Sequence, residues 1–167
     1  MTTSAVRPAD AAGAVSTDAA GVGSTEAVPP VPARTLAPDV EGGRRAGAAT
    51  LLVLTGVTDP AALLAAGPDR RPDLVAPDAG GLLEVHPGVA AVEGGRRCGG
   101  WTARWEDGAL RLSREATGAP ASADGLDGLR ALCVAHWARH PEAAAPARVT
   151  PDDEAAAAVL QRWALTS

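Results

Sequence analysis

Five residue types are missing from this chain: phenylalanine, tyrosine, lysine, isoleucine and asparagine do not occur in its 167 residues. Without Phe or Tyr, and with 14 Pro and 19 Gly, much of the sequence lacks the bulky side chains and regular backbone of a dense core, so order is expected in parts only. All 15 basic residues are arginine, a skew that fits the coding bias of a GC-rich genome better than a demand for guanidinium chemistry. The formal net charge is -5 and the arginines are scattered among Asp and Glu, so there is no basic footprint for nucleic acid. The only cysteines, Cys98 and Cys133, are too few for a disulfide framework, and no basic segment followed by an apolar one signals export. No apolar run reaches the roughly 20 residues that cross a bilayer. The expected setting is the cytoplasm, with neither nucleic acid nor a membrane as partner.

What is present falls into three stretches. Residues 1–33 mix Ala, Gly, Ser, Thr and Pro without a helical or strand period and read as a disordered leader, ending in a Val28-Pro29-Pro30-Val31-Pro32 linker. Residues 34–87 alternate helix and strand signals. Asp39 is placed to cap a short helix through Arg45, with Gly47 as its left-handed exit. Residues 50–55 (Thr-Leu-Leu-Val-Leu-Thr) do not alternate and read as a strand buried on both faces. Asp59 with Pro60 behind it starts a second helix that Gly67 stops. Leu74-Val75-Ala76 forms a second strand, and Asp78 caps a last turn through Leu83. The order α-β-α-β-α favours parallel strands and a right-handed crossover. Residues 88–167 read as a small α+β appendix. In it Trp101, Ala103 and Trp105 alternate into a hairpin that turns at Glu106-Asp107-Gly108 and returns through Leu110 and Leu112. A helix follows from Asp124 with Leu126, Leu129, Cys133 and Trp137 on one stripe, and Thr150-Pro151-Asp152-Asp153 opens another.

The middle stretch carries a resemblance. Asp39-Val40-Glu41-Gly42, Arg45-Ala46-Gly47, the apolar strand leading into Leu54-Thr55-Gly56-Val57, and Arg71-Pro72 through Asp78 recur in order at compatible spacings. In this it resembles the closing part of the haloacid dehalogenase (HAD) superfamily hydrolases, subfamily IIA, the nitrophenyl-phosphatase and sugar-phosphatase-like group. The resemblance implies a partial Rossmann-like α/β core from a Mg²⁺-dependent phosphomonoester hydrolase, with the opening part of the enzyme absent. Such enzymes attack phosphorus with the first Asp of an Asp-x-Asp motif, use the second as acid and base, and hold the phospho-aspartyl intermediate with a Lys. Mg²⁺ and cations are needed because a carboxylate otherwise meets a crowd of negative charge. This chain has no Asp-x-Asp and no Lys. In the last motif Asp39 matches the second acidic residue, while Arg34 stands where the metal-binding Asp would be and would repel the ion. Asp39 is therefore a remnant of a metal site or simply a helix cap. No cofactor is expected for this chain.

A second candidate lies in the appendix. Cys133, His136 and His140 recur at three and four residues on one helical face, with Cys98 within reach of a loop, which is metal-ligand chemistry. The same face carries Leu126, Leu129 and Trp137, so the alternative is an amphipathic helix with a packed Cys. The Gly94-Gly95-Arg96-Arg97-Cys98-Gly99-Gly100 stretch suggests a solvated turn more than an anion cradle, since no strand precedes it and no helix follows. The expected protein is a phosphatase-like fragment without hydrolase activity of its own. Its alternative is a binding or assembly module that completes a sheet from another chain. Two parallel strands cannot cover both of their faces alone, so self-association or a complementary protein chain is expected as partner.

Overall fold

The computed structural model describes residues 38–55, 59–115 and 121–166. The expected leader and Arg34 lie outside these residues, as does the Gly56-Val57 end of the strand motif. Helix α1 spans Pro38–Arg45, so Asp39 is its second residue, inside the first turn, and not the cap that was expected. Its carboxylate there still opposes the positive end of the helix dipole. Gly47 takes φ +71 and supplies the left-handed exit. Strand β1 is Leu51–Val53 and β2 is Leu74–Ala76; they pair in parallel, Leu51 opposite Leu74 and Val53 opposite Ala76. Between them α2, Pro60–Leu64, starts as the sequence indicates: Asp59 accepts a hydrogen bond from the Ala62 amide at 2.5 Å, with Pro60 in the first turn. After β2, Asp78 accepts from the Gly80 amide and opens a 3-10 turn over Ala79–Leu83.

Strand β1 is shorter than the expected six residues because its entry is tied down by side chains. Asp73 accepts from the Thr50 amide at 2.8 Å and the Thr50 hydroxyl at 2.9 Å, which fixes where β1 and β2 begin. Those bonds, ahead of the nearby Arg44 guanidinium, hold the Asp73 carboxyl below its ordinary pKa.

The appendix is larger than a hairpin and two helices. Strands β3 (Ala90–Val92), β4 (Gly95–Cys98), β5 (Trp101–Glu106) and β6 (Ala109–Arg114) form an antiparallel meander, and β7 (Val149–Pro151) adds to β6 in parallel. The expected β5–β6 hairpin is present, turning on Asp107 and Gly108 with φ of 50 and 76, the left-handed pair that a tight two-residue hairpin requires. The Gly-rich stretch expected as a solvated turn is strand β4 between two turns. Thr150 and Pro151 belong to β7, and the helix expected there begins three residues after Pro151, at Glu154, with Asp153 as its cap.

Helix α3, Asp127–Arg139, crosses from β6 to β7 and lies against β4, β5 and β6 on one side and α2 on the other. Every residue from Asp127 to Cys133 is buried. Leu52, Leu63, Leu64 and Val75 from the first part join Leu129, Leu132 and Cys133 of α3 and Leu110 and Leu112 of β6 in one apolar cluster. Each fully buried Leu contributes roughly 1.5–3 kcal/mol. Through Leu52 and Val75 this cluster packs against the two-stranded sheet. Helix α4, Glu154–Arg162, completes the cluster with Ala156, Val159 and Leu160.

Candidate functional site

In an open α/β sheet, ligands gather at the carboxyl ends of the strands. In this protein the end of β2 meets the loop that leads into α3. Between them is a cavity of about 300 Å³ lined by Asp78, Glu84, His86, Ser122 and Asp124, with Val85 and Pro87 at its side. The 3-10 turn brings in Asp78, while His86 is fixed by a 2.8 Å bond between Nε2 and the Gly81 carbonyl.

The wall contributed by α3 is a buried polar network. Arg130, 6% exposed, donates to the Val75 carbonyl of β2 at 2.6 Å and to Asp127 at 3.3 Å, and it is ion-paired with Asp124. Ser122 donates its amide (2.7 Å) and hydroxyl (2.6 Å) to Asp127. Burial alone would raise the Asp124 carboxyl, but hydrogen bonds from Arg130, Ser122 and the Leu126 amide outweigh it and hold the group well below the usual carboxylate range. Cys98 donates to Asp127 at 3.6 Å; burial and the Asp127 charge push its thiol up to about 12, so it stays protonated and is no nucleophile. Gly99 is required where it stands, because at φ +53 a Cβ would fall 2.3 Å from the Asp127 carboxylate.

Arg71, from the Arg-Pro motif, holds the other end of α3. It donates to the carbonyls of His140 (2.6 Å), Ala143 (2.9 Å), Pro141 (3.0 Å) and Ala66 (3.0 Å), and its guanidinium lies over Trp137 at 5.7 Å. A cation at a helix C-terminus satisfies carbonyls that the helix itself leaves open. Trp137 in turn donates its indole N–H to the Leu64 carbonyl at 3.1 Å.

The residues singled out in the sequence come apart in space. Asp39 is exposed on α1 and forms no ion pair among the described residues; the neighbouring Glu41 is taken by Arg45 at 2.5 Å and Arg70 at 3.0 Å. Cys133 and His136 lie on α3 and His140 is its C-cap, each in different surroundings. Cys133 is packed in the core, where burial pushes its thiol up. His136 is committed through Nε2 to the Ala145 carbonyl at 2.9 Å and stacks on Trp105 at 5.6 Å between ring centres. Burial, followed by the His140 and Arg71 charges, keeps it below the ordinary histidine pKa despite the Ala145 bond. Among the described residues no group of three His, Cys, Asp or Glu is arranged to hold a metal ion. Sequence reasoning missed Arg130, Asp127, Ser122 and the role of Arg71. The one signal available was the Asp124-Asp127-Arg130 spacing, three residues apart at the start of a helix.

Two family models match separate parts of the chain. Residues 35–82 match the HAD-hydrolase-like family model, and residues 98–165 match that of the GCN5-related N-acetyltransferase-like domain. In its first part the chain is thus similar to the HAD superfamily of hydrolases. Two solved structures resemble most of the chain, both of the glycerol phosphate phosphatase Rv1692 from Mycobacterium tuberculosis. The calcium complex is 31% identical with a TM-score of 0.61, covering 80% of this chain and 38% of that one. The magnesium complex is 32% identical with a TM-score of 0.58, covering 80% and 36%. The chain therefore spans little more than a third of the phosphatase it resembles. No curated protein matches it. No helix among the described residues is long and apolar enough to cross a membrane.

Proposed function

We propose that this chain is the closing portion of a subfamily IIA HAD-type phosphatase joined to an acetyltransferase-like domain, and that by itself it is an assembly part of the cytoplasm without phosphatase turnover. The observation that carries this reading is the isolation of Asp39, the one carboxylate that matches a catalytic motif: it stands exposed on α1 without a second metal ligand among the described residues, in a sequence with no Asp-x-Asp and no Lys. Members of a catalytic constellation act as a unit, so losing several together removes nearly all of the rate enhancement. Mg²⁺ belongs to the family's chemistry, and the described residues of this chain offer it no ligand set. The acetyltransferase-like part is read as structural for a related reason. An acetyl donor such as acetyl-CoA brings a diphosphate, which a helix N-terminus would receive. The start of α3 is instead occupied by the chain's own Asp124 and Asp127, neutralised by Arg130.

The test is release of phosphate from nitrophenyl phosphate and glycerol phosphate by the purified chain with Mg²⁺. No release above buffer is expected. Turnover that a chelator abolishes and that Asp39→Asn removes would overturn the reading.

A further inference from the structure

A second cavity, of about 250 Å³, opens where the last turns of α3 meet β4 and β5. The strand register explains what lines it. Arg96 stands opposite Ala103, and side chains alternate along a strand, so Arg96 shares one side of the sheet with Cys98, Ala103 and Trp105. That side faces α3, as the Cys98–Asp127 bond shows. From α3 come Ala135, Ala138 and Arg139. Gly94 and the two alanines carry no more than a methyl group, so the space stays open and the two guanidiniums are its only charges among the described residues. Both have donors to offer. Arg139 makes no hydrogen bond or ion pair among the described residues, and Arg96 gives one N–H to the Gly95 carbonyl at 3.0 Å, which orients the group and leaves its other donors open. The adjacent Arg97, on the opposite side of β4, is paired with Glu115 at 3.5 Å.

We propose that this cavity binds the phosphate group of a small molecule, held between Arg96 and Arg139 with Trp105 as an apolar wall. A guanidinium offers a planar fork of donors that suits a carboxylate or a phosphate. Two forks arriving from different elements, a strand and a helix, ask for more than the two oxygens of a carboxylate. The C-terminal end of a helix repels an anion, but Arg71 offsets that end of α3 by donating to the His140 carbonyl at 2.6 Å. Size narrows the ligand further. About 250 Å³ lies below the roughly 300–1,000 Å³ of sites for drug-sized ligands, which selects a phosphate ion or a short phosphate ester over a nucleotide. The Gly-rich stretch from Gly94 to Gly100 thus meets an anion with a side chain, and not with a ring of backbone amides. The site is independent of whether the chain hydrolyses phosphate esters.

The experiment titrates the full chain with inorganic phosphate, phenyl phosphate and acetate at fixed ionic strength, following the Trp105 indole N–H by NMR. Phosphate is expected to shift that resonance saturably. Arg96→Gln and Arg139→Gln should each weaken binding by about tenfold or more, as loss of a charge-assisted hydrogen bond does. Arg104→Gln removes the same charge from an exposed position on the opposite side of β5 and should leave binding unchanged. All three arginines are at least partly exposed, so thermal melts should show the variants folded. Tighter binding of phenyl phosphate assigns the cavity to an ester and equal binding assigns it to the free ion; either result supports the site. An absence of saturable binding, a loss as large in Arg104→Gln as in the other two variants, or acetate binding as tightly as phosphate would each overturn the proposal.

Discussion

Replacing Arg130 with Met removes a cation from the middle of a buried network while keeping most of the side-chain volume. Its side chain is 7% exposed, against 21% for Asp124 and 1% for Asp127, so its loss leaves carboxylates with little water to turn to. Breaking one member of a buried ion pair costs about 3–5 kcal/mol, and the Val75 carbonyl loses its donor as well. For a domain of this size that corresponds to a fall in Tm of roughly 10–20 °C. The variant should also lose cooperativity, because the Arg130–Val75 bond ties β2 to α3. Amides of β1 and β2 should exchange faster than those of β5 and β6, whereas in the parent chain the two sets are expected to be protected together. Urea and thermal denaturation, with exchange read by mass spectrometry, check both outcomes. A loss under about 1 kcal/mol with exchange unchanged would mean that the network is solvated and that apolar contact alone joins the two parts.

Three further outcomes follow from the same geometry. Arg71→Ala should cost about 1–3 kcal/mol and free the last turn of α3, seen as faster exchange at residues 137–140, because four carbonyls lose their donor. Acid should destabilise the fold in two steps: His136 is held neutral with a lowered pKa, so its contribution is complete above the unfolded value near 6.5 and fades as pH falls below it. The lowered Asp124 pKa gives a second contribution, present above about pH 4 and lost as pH drops further; a stability-pH curve flat between pH 7 and 3 would contradict both. Finally, Cys98 and Cys133 are buried protonated thiols and should resist a thiol reagent at pH 8 until urea is added, whereas prompt native labelling would place at least one of them at the surface.

The local grammar of the first part was legible because each of its elements is signalled by short-range chemistry. Asp59-Pro60, Gly47, Asp78 and the Leu74-Val75-Ala76 run act within a few residues, and all appear where expected. The hairpin was legible for the same reason, since Asp107-Gly108 enforces its own turn. Strands β3, β4 and β7 were not, because Arg-rich or Pro-containing segments such as Gly95–Cys98 and Val149–Pro151 carry little strand propensity and are held by neighbours distant in sequence. The cavity was illegible for a similar reason: its walls join residues 78–87 with 122–124, and nothing local marks that pairing. Cys133, His136 and His140 show the converse. Their spacing is correct for a shared face, but in a helix buried nearly all round, a shared face says nothing about free valence.

Helix α3 belongs to the acetyltransferase-like match by sequence and to both halves by contact. Its Trp137 and Arg130 bond to Leu64 and Val75 of the HAD-like part, and Arg71 of that part closes its C-terminus. The two halves can therefore be told apart by ancestry but not separated as materials. Cutting the chain between residues 87 and 90 would expose the flank of α3 that now meets α2, and would strip β1 and β2 of the surface they rest on. Neither product would be a smaller version of the parent. A gene rearrangement that copied only one of the matched regions would deliver a chain prone to aggregate, so the unit that must travel together runs from α1 to α4.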